Sequence, residues 1–422
     1  MPSLRHRVKS DPLAFLEQLA AGSPDADIVP FSLAGRPAFL LTHPDLAESV
    51  LVSHHHRFVK ADGLQRARRL LGNGLLTAEG ERHRRQRNVV QPAFHRQQLE
   101  RYAGRMVDHA ARVRDRWRPN QPVDVVAEAG ALTLAIVGDT LFGADVESLS
   151  AEVRQALMAA SDALDPLVSL LAPARRVRPQ RARLARVVDD LIANHLRSGG
   201  NRDSLIALLL ASQDAGPHTI TDQVRDDALT ILLAGHDTIA TALVWTWILL
   251  AQHPDAGARL EHEVDAVLQN RRAIAADLPA LAFTRAVLSE SLRLRPPAWI
   301  VARSPVDDLE LGGIRMPIGS IILISPYLMH RDRRFYREPF AFEPERWIDE
   351  SAPWRPKMSF IPFGAGPRSC IGEGFAWTEG MLLLATFAQR WRLRLADEHA
   401  IEPHPQITLR PPPGIRMVVQ PI

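Results

Sequence analysis

The sequence predicts a mainly α protein with small β-sheets, an α+β fold. Three observations carry this: apolar residues recur at three- and four-residue spacing from about Asp11 to Arg295, proline- and glycine-rich strand-like runs fill 296–370, and a further helical stretch follows. In chain order, short β segments are expected near 28–33 and 38–42, and helical periodicity is clearest over 99–107 and 260–268. The apolar stretch 228–251 is long enough to cross a bilayer. It carries His236 and Asp237 near its middle, where charge is costly in lipid, so it reads as the buried helix of a globular core. The run Ile318-Gly319-Ser320-Ile321-Ile322-Leu323-Ile324 reads as a strand, 374–387 as a helix, and the tail as extended and proline-rich. No Gly/Ser linker, low-complexity run or internal repeat divides the chain. One domain over 1–422 is expected, with a helix-rich body at about 43–295 and 371–392, a β-rich and loop part at about 28–42 and 296–370, and the C-terminal tail.

Composition narrows the function classes. The net charge of +3 is small, and arginine carries the basic balance, since Lys9, Lys60 and Lys357 are the lysines. These arginines are spread along the chain rather than gathered, which argues against a nucleic-acid partner. A single cysteine excludes an intrachain disulfide and fits a reducing compartment. Residues 1–7 are basic with no apolar core behind them, so they read as neither signal peptide nor membrane anchor, and a cytoplasmic, prokaryotic protein is expected.

That cysteine, Cys370, lies in Phe363-Gly364-Ala365-Gly366-Pro367-Arg368-Ser369-Cys370-Ile371-Gly372, just before the predicted helix. A lone cysteine is usually a small buried hydrophobe. Zinc or iron–sulfur sites need more sulfurs than this chain owns, whereas one thiolate at a helix N-terminus suffices as an axial heme ligand. The buried helix holds Ala234-Gly235-His236-Asp237-Thr238, in which Gly235 suggests the close approach of something flat. The Thr238 hydroxyl is placed to reach the Ala234 carbonyl and open the helix locally, although such a polar pair also serves simply to fix packing. Glu290 and Arg293 share a helix face, an arrangement that is often only a surface ion pair, and Arg346 stands further on. His83 and Arg87 sit one helical turn apart, where both can donate to one anion, while Arg82, Arg84 and Arg85 read as an outward face. His54, His55 and His56 cannot all face one ion and read as a solvated turn.

The frame Phe363-x-x-Gly366-x-Arg368-x-Cys370-x-Gly372 resembles the heme-binding loop of the cytochrome P450 superfamily, and 234–238 resembles its acid-alcohol segment. The resemblance runs from about Pro12 to the end and implies that family's fold, with heme b between the long central helix and the cysteine loop. It implies Cys370 as iron ligand, Asp237 and Thr238 as proton-delivering catalytic residues, and Ala234, Phe363 and Gly372 beside the heme. His83, Arg87, Arg303 and Arg368 match propionate donors, and Glu290, Arg293 and Arg346 a structural triad. Leu233, Ala298, Trp299 and Ile300, with a loop over 63–76, fall where the family lines its substrate pocket. Their apolar character suggests a fatty acid, terpenoid or carotenoid. The implied activity is insertion of one atom of O2, with electrons from a separate ferredoxin or flavodoxin and its reductase. The alternatives are a peroxide-driven peroxygenase or heme isomerase, which would not usually need Asp237 and Thr238, and a non-catalytic heme sensor or carrier.

Overall fold

The computed structural model describes residues 11–33, 35–144, 177–197, 204–213, 219–349, 355–397 and 401–422; the basic segment 1–7 lies outside the described residues. Helices lead, as the apolar spacing anticipates: α1 Pro12–Ala21, α2 Pro44–Glu48, α3 Asp62–Leu71, α4 Gly80–Val90, α5 Arg96–Arg116, α6 Val125–Val137, α7 Val177–Arg197, α8 Leu205–Ala211, α9 Asp222–Gln252, α10 Pro254–Leu268 and α11 Ala282–Leu294. The short α12 Pro326–Met329 and α13 Glu373–Ala388 follow. Several starts are encoded locally. The side chains of Asp11, Asp124, Ser204 and Thr221 accept N–H groups of the turns they precede, each worth about 1 kcal/mol to its helix.

The core wraps α9, in which Leu232, Leu243, Trp245 and Ile248 expose 1% or less of their surface. Burying such a side chain stabilises by about 1.5–3 kcal/mol, so α9 is held by what surrounds it. Val125–Phe142 and Asp222–Gln252 are both long and apolar enough to cross a bilayer, and 61% and 72% of their most apolar windows are buried within the protein. Phe387 of α13 joins the layers, with its ring 4.8 Å from Trp117 and 5.3 Å from Trp247.

The strands are β1 Ile28–Leu33, β2 Arg36–Leu41, β3 Phe58–Lys60, β4 Pro122–Asp124, β5 Val301–Pro305, β6 Leu309–Leu311, β7 Ile314–Met316, β8 Ile321–Ile324, β9 Trp391–Leu395, β10 His404–Pro405, β11 Leu409–Arg410 and β12 Arg416–Pro421. One sheet runs β1-β2-β8-β5-β3, with β2 parallel to β8 and Leu40 opposite Leu323; another runs β4-β12-β9. Three expectations need correction. The strand expected over 318–324 starts at Ile321, because the Ser320 N–H bonds back to the Pro317 carbonyl and closes a turn first. The second N-terminal strand covers 36–41 rather than 38–42. The segment 63–76 is not a loop throughout: α3 runs to Leu71, because Ala67, Leu70 and Leu71 supply a buried face at helical spacing.

Candidate active site

Cys370 closes a tight loop. Its N–H donates to the Phe363 carbonyl at 2.9 Å and the Ser369 N–H to the Gly366 carbonyl at 2.9 Å, which folds the chain back on itself before α13. Gly366 has φ +72°, and a Cβ there would lie 2.0 Å from the Leu51 carbonyl oxygen, so no larger residue fits. The Phe363 ring meets Trp377 of α13 at 5.6 Å, bracing the loop. Cys370 is exposed, but it borders an internal cavity of about 840 Å³. Burial in the surrounding protein pushes its thiol above the usual value, opposed by the Gly372 N–H.

Helix α9 lines the same cavity with Leu233, Ala234, Asp237 and Thr238. The Thr238 hydroxyl donates to the Ala234 carbonyl at 2.7 Å. Asp237 has partners that its own helix does not reveal. Thr408 donates to its Oδ2 at 2.7 Å, and Arg410 of β11 forms an ion pair with its Oδ1. Gly235 also lines the cavity, and a Cβ there would meet the Val137 side chain of α6 at 3.2 Å, so its smallness serves helix packing as well.

The four expected anion donors, His83, Arg87, Arg303 and Arg368, gather at the cysteine end of the cavity. Arg87 also holds the Ser369 carbonyl at 2.8 Å, and Arg368 the Phe58 carbonyl at 3.0 Å. Lys60 and Glu79 join them, unforeseen from sequence. Lys60 Nζ donates to the Leu75 and Ala78 carbonyls at 3.3 and 2.7 Å, and Glu79 pairs with Arg368. Burial drives Lys60 down to about 7, with Arg368 and Arg303 adding to it against Glu79. Burial first, then Lys60 and the arginines, drives His83 down to about 4. Burial and Arg368 lower Arg303 to about 10. This crowd of cations around one carboxylate has unused capacity for negative charge, and two propionates would fill it. The donor set, one sulfur plus this cationic edge, fits heme.

Glu290, Arg293 and Arg346 come together away from the cavity. Glu290 accepts from Arg293 Nε and Nη2 at 2.8 and 2.7 Å, from Arg346 Nε at 2.9 Å and from Trp347 Nε1 at 2.8 Å. Burial pushes its carboxyl up, but these donors win and hold it below the usual range. Arg293 also donates to the carbonyls of His330, Pro339 and Ala341, so the group ties α11 to the segment before Trp347.

Ala298, Trp299 and Ile300 line the cavity as expected, although Trp299 is 2% exposed and its indole N–H is spent on the Gln406 carbonyl at 2.8 Å. Leu75 and Leu76 add to the wall, as do Ile407 and Pro411, which the sequence reading did not include. His54 and His56 are exposed, and no metal-ligating cluster occurs among the described residues.

A family model described as "Cytochrome P450" matches residues 24–419. The chain is 40% identical to cyclooctatin synthase of Streptomyces melanosporofaciens over 97% of its own length and 91% of that protein. It is 35% identical to cyclooctat-9-en-7-ol 5-monooxygenase of the same organism, covering 91% and 85% of the two chains. Against pentalenene oxygenase of Streptomyces avermitilis the identity is 34%, covering 96% and 92%.

Proposed function

The chain belongs to the cytochrome P450 family, and from that premise we propose that it hydroxylates a neutral substrate of terpenoid type. It is a heme-thiolate monooxygenase that uses heme b and O2, acts on an apolar substrate and draws electrons from a redox partner. The observation that carries the choice among lipids is the charge on the cavity wall. Asp237 is paired with Arg410 and Arg36 with Asp62, while the remaining cations sit at the cysteine end. A fatty-acid carboxylate would therefore need to break a pair to find a partner, at a cost a terpene does not incur. The names of the three Streptomyces relatives point the same way.

Heme supplies the iron that activates O2 and carries out the oxidation. We assign Cys370 as the residue whose sulfur would hold the heme iron, His83, Arg87, Arg303 and Arg368 as the donors that would hold its propionates, and Phe363, Ala234 and Gly372 as residues that would lie beside it. Asp237 and Thr238 are assigned to proton delivery. Both Asp237 oxygens accept bonds from the β11 side, so the carboxylate must release Thr408 or Arg410 before it takes up and passes on a proton. Glu290, Arg293 and Arg346 hold the scaffold. The single cysteine fits a reducing compartment, so we further propose a cytoplasmic enzyme served by a ferredoxin or flavodoxin with its reductase.

The test is a titration of the ferric protein, read as the Soret shift, with terpene hydrocarbons and alcohols, fatty acids and a carotenoid, followed by product analysis. Tightest binding and oxygenation of a neutral terpenoid is expected. Preference for a fatty acid would overturn the substrate assignment.

A further inference from the structure

Two neighbouring aspartates near the start of α9 have no part in the chemistry above, yet they are among the most buried charged groups of the protein, at 6% exposure for Asp226 and 2% for Asp227. Both point their carboxylates at the backbone of the segment that follows α3. Asp226 Oδ2 accepts the Asn73 N–H at 2.7 Å, and Asp227 Oδ1 accepts the Leu75 N–H at 2.9 Å. The other oxygens are taken by side chains, Asp226 Oδ1 by Arg181 of α7 at 3.2 Å and Asp227 Oδ2 by Gln223 at 2.6 Å.

The approach is so close that only glycine serves on the facing chain. A Cβ on Gly72, at φ +69°, would lie 2.0 Å from the Asp226 carboxylate, and one on Gly74 would lie 2.3 Å from the Asp226 carbonyl oxygen and from Thr230 Oγ1. Gln86 of α4 grips the same segment through the Asn73 carbonyl at 2.7 Å, and Lys60 through the Leu75 carbonyl at 3.3 Å. The segment belongs to no sheet, so these contacts replace a ladder in fixing its path. What it carries to the cavity is apolar: Leu75 and Leu76.

A buried carboxylate is an expensive way to fill space, and Asp227 shows the strain, with burial pushing it up to about 6. Directional acceptors for two backbone N–H groups are what an apolar residue could not supply. We propose that Asp226 and Asp227 are specificity-determining positioning residues that clamp the Gly72–Leu76 segment to α9 and so set the wall that Leu75 and Leu76 present to the substrate. This rests on the reading of the cavity as the substrate site.

The heme-loaded enzyme and its Asp226→Ala, Asp227→Ala and Gly74→Ala variants are titrated with geraniol, farnesol and geranylgeraniol by the Soret shift, with imidazole as a small probe that does not need the wall. In the variants the Kd of the preferred alcohol rises about tenfold, its advantage over the other two shrinks correspondingly, and the imidazole Kd stays unchanged. A lowered melting temperature with the order and spacing of the three Kd values preserved would show a merely structural clamp and overturn the proposal. Should the aspartate variants not fold, Gly74→Ala decides alone, since it displaces the same segment without removing a charge. Absence of any shift with all three alcohols in the unaltered enzyme would instead strike at the terpenoid reading.

Discussion

A sulfur at position 370 borders the cavity from a loop that offers it the Gly372 N–H, while burial works against its ionised form. A bound cation reverses that balance, since a coordinated thiol is deprotonated. Cys370→Ser and Cys370→His are therefore expected to lose the long-wavelength absorption of the reduced carbon monoxide complex, and survival of that band in either variant would remove Cys370 from the iron. Thr238 makes a different demand, because its hydroxyl rests on the Ala234 carbonyl. Thr238→Ala should leave ligand-induced spectral shifts nearly intact while diverting reducing equivalents to hydrogen peroxide. An unchanged yield of product per NAD(P)H would refute the assigned proton role. Cys370, Asp237 and Thr238 are legible in the sequence because their signals are local, a spaced frame in one case and a polar pair inside an apolar helix in the other. Arg410 is not, since it reaches Asp237 across 173 residues from a two-residue strand, and neither is Lys60, whose stretch of chain carries no pattern.

Between elements, His330 joins two of the structures behind the cavity. Its Nε2 accepts the Ile361 N–H at 2.9 Å, in the run leading to the cysteine loop, while its carbonyl accepts from Arg293 of α11. Burial, then Arg293 and Arg331, drive its pKa from 6.5 down to about 3. The imidazole is thus neutral in the fold and takes up a proton more readily when unfolded, so the stability it confers is whole above pH 6.5 and is lost as pH falls toward 3. His330→Gln keeps an acceptor for Ile361 but does not titrate. Denaturant unfolding of both proteins at pH 7 and pH 4 should show the wild-type advantage shrinking by about 3 kcal/mol in acid. An equal gap at both values would mean that the imidazole is not held neutral. The elements themselves were foreseeable where periodicity is long, as in α5, α9 and α10. Segment 63–76 misled because α3 is short and rich in arginine, so its buried face of Ala67, Leu70 and Leu71 is narrow.

Across the whole molecule, the parallel pairing of β2 with β8 and the gathering of Arg303, Arg368, His83 and Lys60 depend on contacts between distant parts of the chain, which no local pattern announces. Surface charge is a property of the same scale that periodicity does foretell. On α4, His83 and Gln86 are buried while Arg82, Arg84 and Arg85 are exposed, so one helix turns His83 and Arg87 to the cavity and a basic face to solvent. The net charge of +3 is too small to steer an acidic protein by itself, but a local cluster raises the encounter rate at its own site. Electrons for the proposed Cys370-ligated heme have to cross a short distance from a docked partner, and α4 meets the cysteine loop through the Arg87 contact with Ser369. Arg84 and Arg85 are therefore expected to guide the proposed ferredoxin. Exposed charges are screened beyond about 8 Å at physiological salt, so the effect belongs to low ionic strength. Changing Arg84→Glu and Arg85→Glu together should slow ferredoxin-supported turnover, most in dilute buffer, and leave peroxide-supported turnover as it was. Equal losses with both electron sources would mean that the substitutions disturb α4 and through it His83 and Arg87, and the docking face would then have to be sought elsewhere.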